Sequence, residues 1–127
     1  MNIKKIVVGQ LEENCYILEK DGKYLVIDPG DEFKKIDAEI KGELEEILVT
    51  HNHFDHIGAL RNFLTKRSIK IFKDSNLEEK EYNIGDFTFK CIYTPGHSAD
   101  SVTFYFEEEK AMFVGDFIFK GSIGRCD

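Results

Sequence analysis

A chain of 127 residues, 42% hydrophobic and 32% charged, is long enough to bury one core and reads as a single folded domain spanning residues 1–127. Its formal charge of -7 is the wrong sign for displacing counterions from phosphate, so no nucleic-acid partner is expected. No apolar run reaches membrane-spanning length, so no membrane partner is expected, and Ile6-Val7-Val8 is too short for the apolar region of a signal peptide.

Residues 2–8, 13–20 and 23–28 read as three strands, the last two joined by Asp21-Gly22, a strong hairpin signal. Asp28-Pro29-Gly30 then stops the sheet with turn chemistry. Phe33, Ile36 and Ile40 fall near helical spacing and predict a short amphipathic helix over 32–41. Glu43-Leu44-Glu45-Glu46 and Glu107-Glu108-Glu109 read as solvated faces or turns. Ile47-Leu48-Val49-Thr50 is a short run of buried-strand type that delivers the chain into His51. Ile57, Leu60, Phe63 and Leu64 mark one face of a helix over about 56–66. Further strands are predicted at 69–73, 80–84, 87–93, 101–107 and 110–115, with Gly85-Asp86 and Glu107 to Glu109 as turns. Strands outnumber helices about two to one, which points to mixed sheets covered by helices, an α+β layer architecture. Cys15, Cys91 and Cys126 are odd in number and far apart, so they read as buried or free thiols in a reducing compartment, the cytoplasm.

All four histidines fall in two short motifs. Three lie in His51-Asn52-His53-Phe54-Asp55-His56, and the fourth is His97 in Thr94-Pro95-Gly96-His97-Ser98. A polar loop with hydrogen-bonding histidines explains one or two of them. Three histidines and a carboxylate in six residues point instead to a metal-ligand loop. His51 and His53, two apart at a strand end, can point to the same side, while Asp55 and His56 aim at a second point nearby. That arrangement suits two adjacent cations. His97 follows a Pro-Gly turn that can present an imidazole toward the first pair. Asp116, after the apolar strand ending Val114-Gly115, is a candidate bridging carboxylate; on its own it would read as an Asx turn or helix cap. Two cations about 3.5–4 Å apart can share a water and lower its pKa towards neutrality. A ligand set of imidazoles and carboxylates without cysteine suits Zn2+ and also Fe or Mn.

The segment Thr50-His51-Asn52-His53-Phe54-Asp55-His56-Ile57-Gly58 resembles the His-x-His-x-Asp-His signature of the metallo-β-lactamase-fold hydrolases. Thr94-Pro95-Gly96-His97-Ser98 and Gly115-Asp116 are similar to that superfamily's next two motifs. Asn14-Cys15-Tyr16, Ile27-Asp28-Pro29-Gly30 and Gly121-Ser122-Ile123-Gly124-Arg125 narrow the resemblance to its glyoxalase II-like (hydroxyacylglutathione hydrolase-like) branch. The resemblance implies a four-layer αββα sandwich, C-terminally shortened, with the metals at the edge between the sheets. It implies that His51, His53 and His97 hold one ion, Asp55 and His56 a second, and Asp116 bridges them. Asp28 matches a buried aspartate that orients the ligand loop.

The activity implied is hydrolysis of a small-molecule thioester, of hydroxyacyl-glutathione type, by a metal-bound hydroxide, with one or two Zn2+ ions as cofactor. Asp55 would be a ligand with a further role in proton handling. Arg125 would meet a substrate carboxylate or, equally, form a salt bridge that fixes its loop. The branch usually takes one more histidine for its second metal from a later segment, together with further C-terminal strands and helices. The sequence holds no fifth histidine. The expectation is therefore a fragment whose second site lacks its last ligand, with reduced activity; the alternative is a naturally shortened domain whose second site is weak. Its uncovered second sheet would invite homodimerisation. Two alternatives stand beside this reading. One is a mononuclear iron oxidoreductase similar to the persulfide dioxygenases, built on His51, His97 and Asp116 with His53 in reserve. The other is a truncated metal-binding module without activity.

Overall fold

The structure is a computed structural model that describes residues 1–9, 13–29, 32–50, 62, 66, 71–72, 78–93, 102–114 and 117–120. Within these residues the chain forms two five-stranded sheets. The first contains β1 (Asn2–Val8), β2 (Glu13–Lys20), β3 (Lys23–Ile27), β4 (Glu43–Leu48) and β5 (Ile71–Phe72), side by side in that order. A short helix, α1 (Phe33–Asp37), lies between β3 and β4 in the chain. The second sheet contains β6 (Glu81–Ile84), β7 (Phe87–Tyr93), β8 (Val102–Phe106), β9 (Ala111–Val114) and β10 (Phe117–Lys120), again in chain order across the sheet.

The connections follow from local chemistry. Asp21 and Gly22 both take positive φ (53° and 79°), the combination that a tight hairpin between twisted strands requires, and Lys20 pairs with Lys23 across it. β1, β2 and β3 are antiparallel, but β3 to β4 is a parallel step, and parallel strands need a crossover. The segment carrying α1 supplies it. The second sheet is an antiparallel meander throughout.

Side-chain alternation then decides the layers. Tyr16, Leu18, Leu25, Ile27 and Leu48 of the first sheet pack against Phe87, Phe89, Phe104, Phe106 and Phe113 of the second. The rings interlock: Tyr16 meets Phe113 edge-on at 5.2 Å, and Phe106 lies between Phe89 and Phe113 at 5.1 and 5.6 Å. The intervening residues Cys15, Ile17, Val26 and Ile47 face the other way and pack with Ile36 of α1 and with Ile40. The first sheet is thus buried on both faces. Lys66, a helical residue, lies on that outer side too, bonding Asp37 at 2.9 Å and sitting 5.5 Å from the Phe33 ring centre. Among the described residues no helix is long and apolar enough to cross a membrane.

Four expectations need correction. The helix over 32–41 is only Phe33–Asp37. Ile40 is still buried as its spacing predicts, but the N–H groups of Glu39 and Ile40 bond back only three residues, to Ile36 and Asp37, in tightened turns. Glu43-Leu44-Glu45-Glu46 is not a turn: β4 starts at Glu43, pairs with β3, and buries Leu44. The strands expected to end at Asp28 and Thr50 stop at Ile27 and Leu48: Asp28 takes φ 55°, which ends β3, and the chain bends at Thr50 after β4. β10 was not expected at all; Phe117 pairs with Val114 across Gly115-Asp116, and Gly-Asp between two apolar runs is itself a hairpin signal. Of the helix expected at about 56–66, Asn62 and Lys66 are helical and the rest lies outside the described residues.

Candidate metal centre

His51, His53, Asp55, His56, His97, Asp116 and Arg125 lie outside the described residues, as does Cys126. Within them, no three His, Cys, Asp or Glu side chains gather as a cation site. What the structure shows is the frame from which the three predicted ligand segments depart.

That frame converges. β7 ends at Tyr93, which stands opposite Val102 at the start of β8. Val114, the end of β9, stands opposite both Thr103 of β8 and Phe117 at the start of β10. Four strand ends of the second sheet therefore share one edge. The first sheet joins them there, because the N–H of Val102 donates to the carbonyl oxygen of Thr50 at 2.7 Å. Position 50 precedes His51, positions 93 and 102 flank the segment of His97, and positions 114 and 117 flank Asp116. All three segments start from one end of the sandwich.

Asp28 is the site residue that the structure describes in full. It is buried at 6% exposure, and its N–H donates to the carbonyl of Leu48 at 2.9 Å, extending the β3–β4 ladder one step. Its positive φ turns the side chain out of strand alternation, in a conformation that aspartate tolerates better than most residues. The carboxylate meets Thr50, which is fully buried. The Thr50 N–H donates to Oδ1 at 2.7 Å and the Thr50 hydroxyl to Oδ2 at 2.5 Å. Removing a carboxylate from water is costly unless its oxygens find donors, and here each oxygen has one.

Sequence reasoning gave Thr50 no role. Its signal was present: a hydroxyl residue closing the apolar run Ile47-Leu48-Val49 has to find a partner once buried. Nearby, Cys15 is buried, and burial first and the Asp28 charge second push its thiol pKa up. Cys91 is buried in the inter-sheet core; burial and then Glu79 push its thiol up to about 11. Both are free thiols, as expected of them.

The sequence matches the profile of the metallo-beta-lactamase superfamily over residues 8–83 and 74–127. It is 32% identical to the "Probable metallo-hydrolase YqgX" of Bacillus subtilis (strain 168), aligning all of this chain with 76% of that one. It is 33% identical to the hydroxyacylglutathione hydrolase of Francisella tularensis subsp. novicida (strain U112), where 98% of this chain covers 55% of the relative. Among solved structures it resembles the BLEG-1 B3 metallo-beta-lactamase, with TM-score 0.79 and 29% identity over 87% of this chain and 70% of that one. TTHA1623 in a di-iron-bound form gives TM-score 0.76 and 30% identity over 98% and 77%.

Proposed function

This chain belongs to the metallo-beta-lactamase superfamily, and from that membership we propose that it is a metal-dependent thioester hydrolase acting on hydroxyacyl-glutathione-type substrates. The observation that carries the reading is the shared edge from which the segments of His51 to His56, His97 and Asp116 depart. We read the two sheets as the central layers of an αββα sandwich, with α1 and the helical segment of Lys66 on one outer side.

The donor set fits a metal centre. Four imidazoles and two carboxylates, without cysteine, are borderline donors suited to Zn2+ and also to Fe or Mn. His51, His53 and His97 would hold one ion, Asp55 and His56 a second, and Asp116 both. When bound, such a pair supplies Lewis acidity that activates a water and polarises the carbonyl it attacks. The chain's own residues do the rest. Asp28 holds Thr50 at the root of the first ligand segment, which orients that segment before any ligand arrives. Asp55 would pass the proton given up by the attacking water to the departing thiolate, and Arg125 would receive a substrate carboxylate. Support for the substrate class comes from the Francisella hydroxyacylglutathione hydrolase, of whose length this chain spans about half. Two buried free thiols suit a reducing cytoplasm.

The test is to load the purified protein with zinc, iron or manganese, measure bound metal, and follow thioester cleavage of a hydroxyacyl-glutathione. Turnover that disappears with a chelator and returns with metal is the expected result. Bound iron with dioxygen uptake and no thioester cleavage would replace the hydrolase reading. Absence of tight metal binding and of turnover would leave a non-enzymatic module.

A further inference from the structure

We propose that Thr50 is a positioning residue that locks the His51 segment of the first sheet to the His97 segment of the second, so that the two halves of the metal centre are set as one unit. The proposal rests on the metal reading above, and its observations are independent of the ligands themselves.

Thr50 has three hydrogen-bonding groups, engaged in two directions. Its N–H and hydroxyl both enter the Asp28 carboxylate, at the end of β3. Its carbonyl accepts the Val102 N–H, at the start of β8 in the other sheet. A peptide unit is planar, so holding the Thr50 carbonyl fixes the plane in which the chain leaves toward position 51. Asp28 cannot drift to follow, because its own N–H is bonded to Leu48.

The second half of the lock lies in register. Val102 stands opposite Tyr93, where the chain departs toward His97, and it returns from that segment five residues later in sequence. Thr103 stands opposite Val114, where the chain departs toward Asp116. A shift of Thr50 against Val102 therefore moves the root of one ligand segment against the roots of the other two. Metal sites tolerate displacements of only about 0.5 Å before they lose quality, so a hydrogen bond that fixes one sheet end against the other bears directly on them. Packing alone does not explain threonine here, since valine fills nearly the same volume. The hydroxyl and the carbonyl are what the site uses.

The experiment compares the wild type with Thr50→Ser, Thr50→Val, Val102→Pro and Val102→Ala, all in the full chain. Thr50→Val removes the hydroxyl, Thr50→Ser keeps it, and Val102→Pro removes the donor to the Thr50 carbonyl and changes a buried core side chain, at the first residue of a strand where proline is tolerated. The readouts are zinc affinity by competition with a chromophoric chelator and the thermal midpoint of the metal-free protein. Thr50→Ser should bind within about threefold of wild type, while Thr50→Val and Val102→Pro each lose roughly 10- to 100-fold. Val102→Ala trims the same buried side chain but keeps the N–H, so it should bind zinc within about threefold of wild type even where its metal-free midpoint falls as far as that of Val102→Pro, which separates lost positioning from lost folding. Val102→Pro binding zinc as tightly as wild type would overturn the lock, and so would Thr50→Ser weakening as much as Thr50→Val. A wild type that binds none of zinc, iron or manganese fails at the first measurement and overturns the metal reading with it.

Discussion

A Cβ on Gly42 would collide with the carbonyl oxygen of Gly22. The tip of the β2–β3 hairpin thus touches the chain just as it enters β4, and the Glu43 N–H closes the contact by donating to the same carbonyl at 3.2 Å. Both partners are backbone, so no rotamer change relieves a side chain there. Gly42→Ala should destabilise the fold by about 1–3 kcal/mol through forced backbone movement. Gly22→Ala meets no neighbouring atom and should cost only about 1 kcal/mol, from its φ of 79°. Urea unfolding midpoints of the two variants give the comparison, and equal losses would show that the contact at Gly42 relaxes freely.

Asp28 carries two separable burdens, an unusual backbone conformation and a buried double acceptor. Asp28→Ala loses both acceptors and keeps a Cβ at φ 55°, whereas Asp28→Gly loses the acceptors and relieves the backbone. We expect Asp28→Ala to cost about 2–5 kcal/mol, counting two buried donors left unsatisfied and the left-handed backbone. Asp28→Gly should be less damaging by about 1 kcal/mol, and Asp28→Asn the mildest, since its amide oxygen can still accept from the Thr50 N–H. Chemical denaturation of the metal-free proteins ranks them. Asp28→Ala proving more stable than Asp28→Gly would remove the backbone part of this account.

Phe106 ties the aromatic layer together, touching Phe89 and Phe113 within a fully buried site. Phe106→Ala should cost about 3–5 kcal/mol, against about 5–15 kcal/mol for a whole domain of ordinary stability. Phe106→Leu keeps most of the volume and should cost well under half as much. Denaturant titration followed by far-UV circular dichroism checks both. A loss below 1 kcal/mol for Phe106→Ala would mean that the two sheets close over the gap.

How far the sequence foretold this architecture depends on what each signal reports. β1, β2 and β7 were legible to the residue, because apolar alternation and the Asp21-Gly22 turn are local properties. β4 was obscured because Glu43, Glu45 and Glu46 look like a solvated face, while the strand exists through long-range pairing with β3 and the contact at Gly22. β10 is harder to read because Gly115-Asp116 carries two signals at once, a candidate ligand and a hairpin turn between apolar runs. The ligand residues were read from spacing and resemblance. Thr50 could not be found that way, since its partners Asp28 and Val102 are 22 and 52 positions away and only the folded sheets bring them together.

The two buried thiols give the fold a pH dependence of fixed sign. Burial and then Glu79 raise Cys91 to about 11, and burial and then Asp28 raise Cys15 further still. A thiol whose folded pKa lies above its unfolded value stabilises the fold fully below the unfolded pKa. As pH rises past the ordinary thiol value, unfolded chains lose protons that folded chains keep, so stability falls with pH up to about 11 for Cys91. With Cys126→Ser in the background, Cys91→Ala should flatten part of the decline in unfolding free energy between pH 8.5 and 10.5, roughly the interval above the free thiol value. The same background should leave native protein almost inert to a thiol-reactive dye at pH 8, and fully reactive in denaturant, because buried thiols are both protonated and shielded. Rapid labelling of the native protein at two thiols would contradict the burial of both.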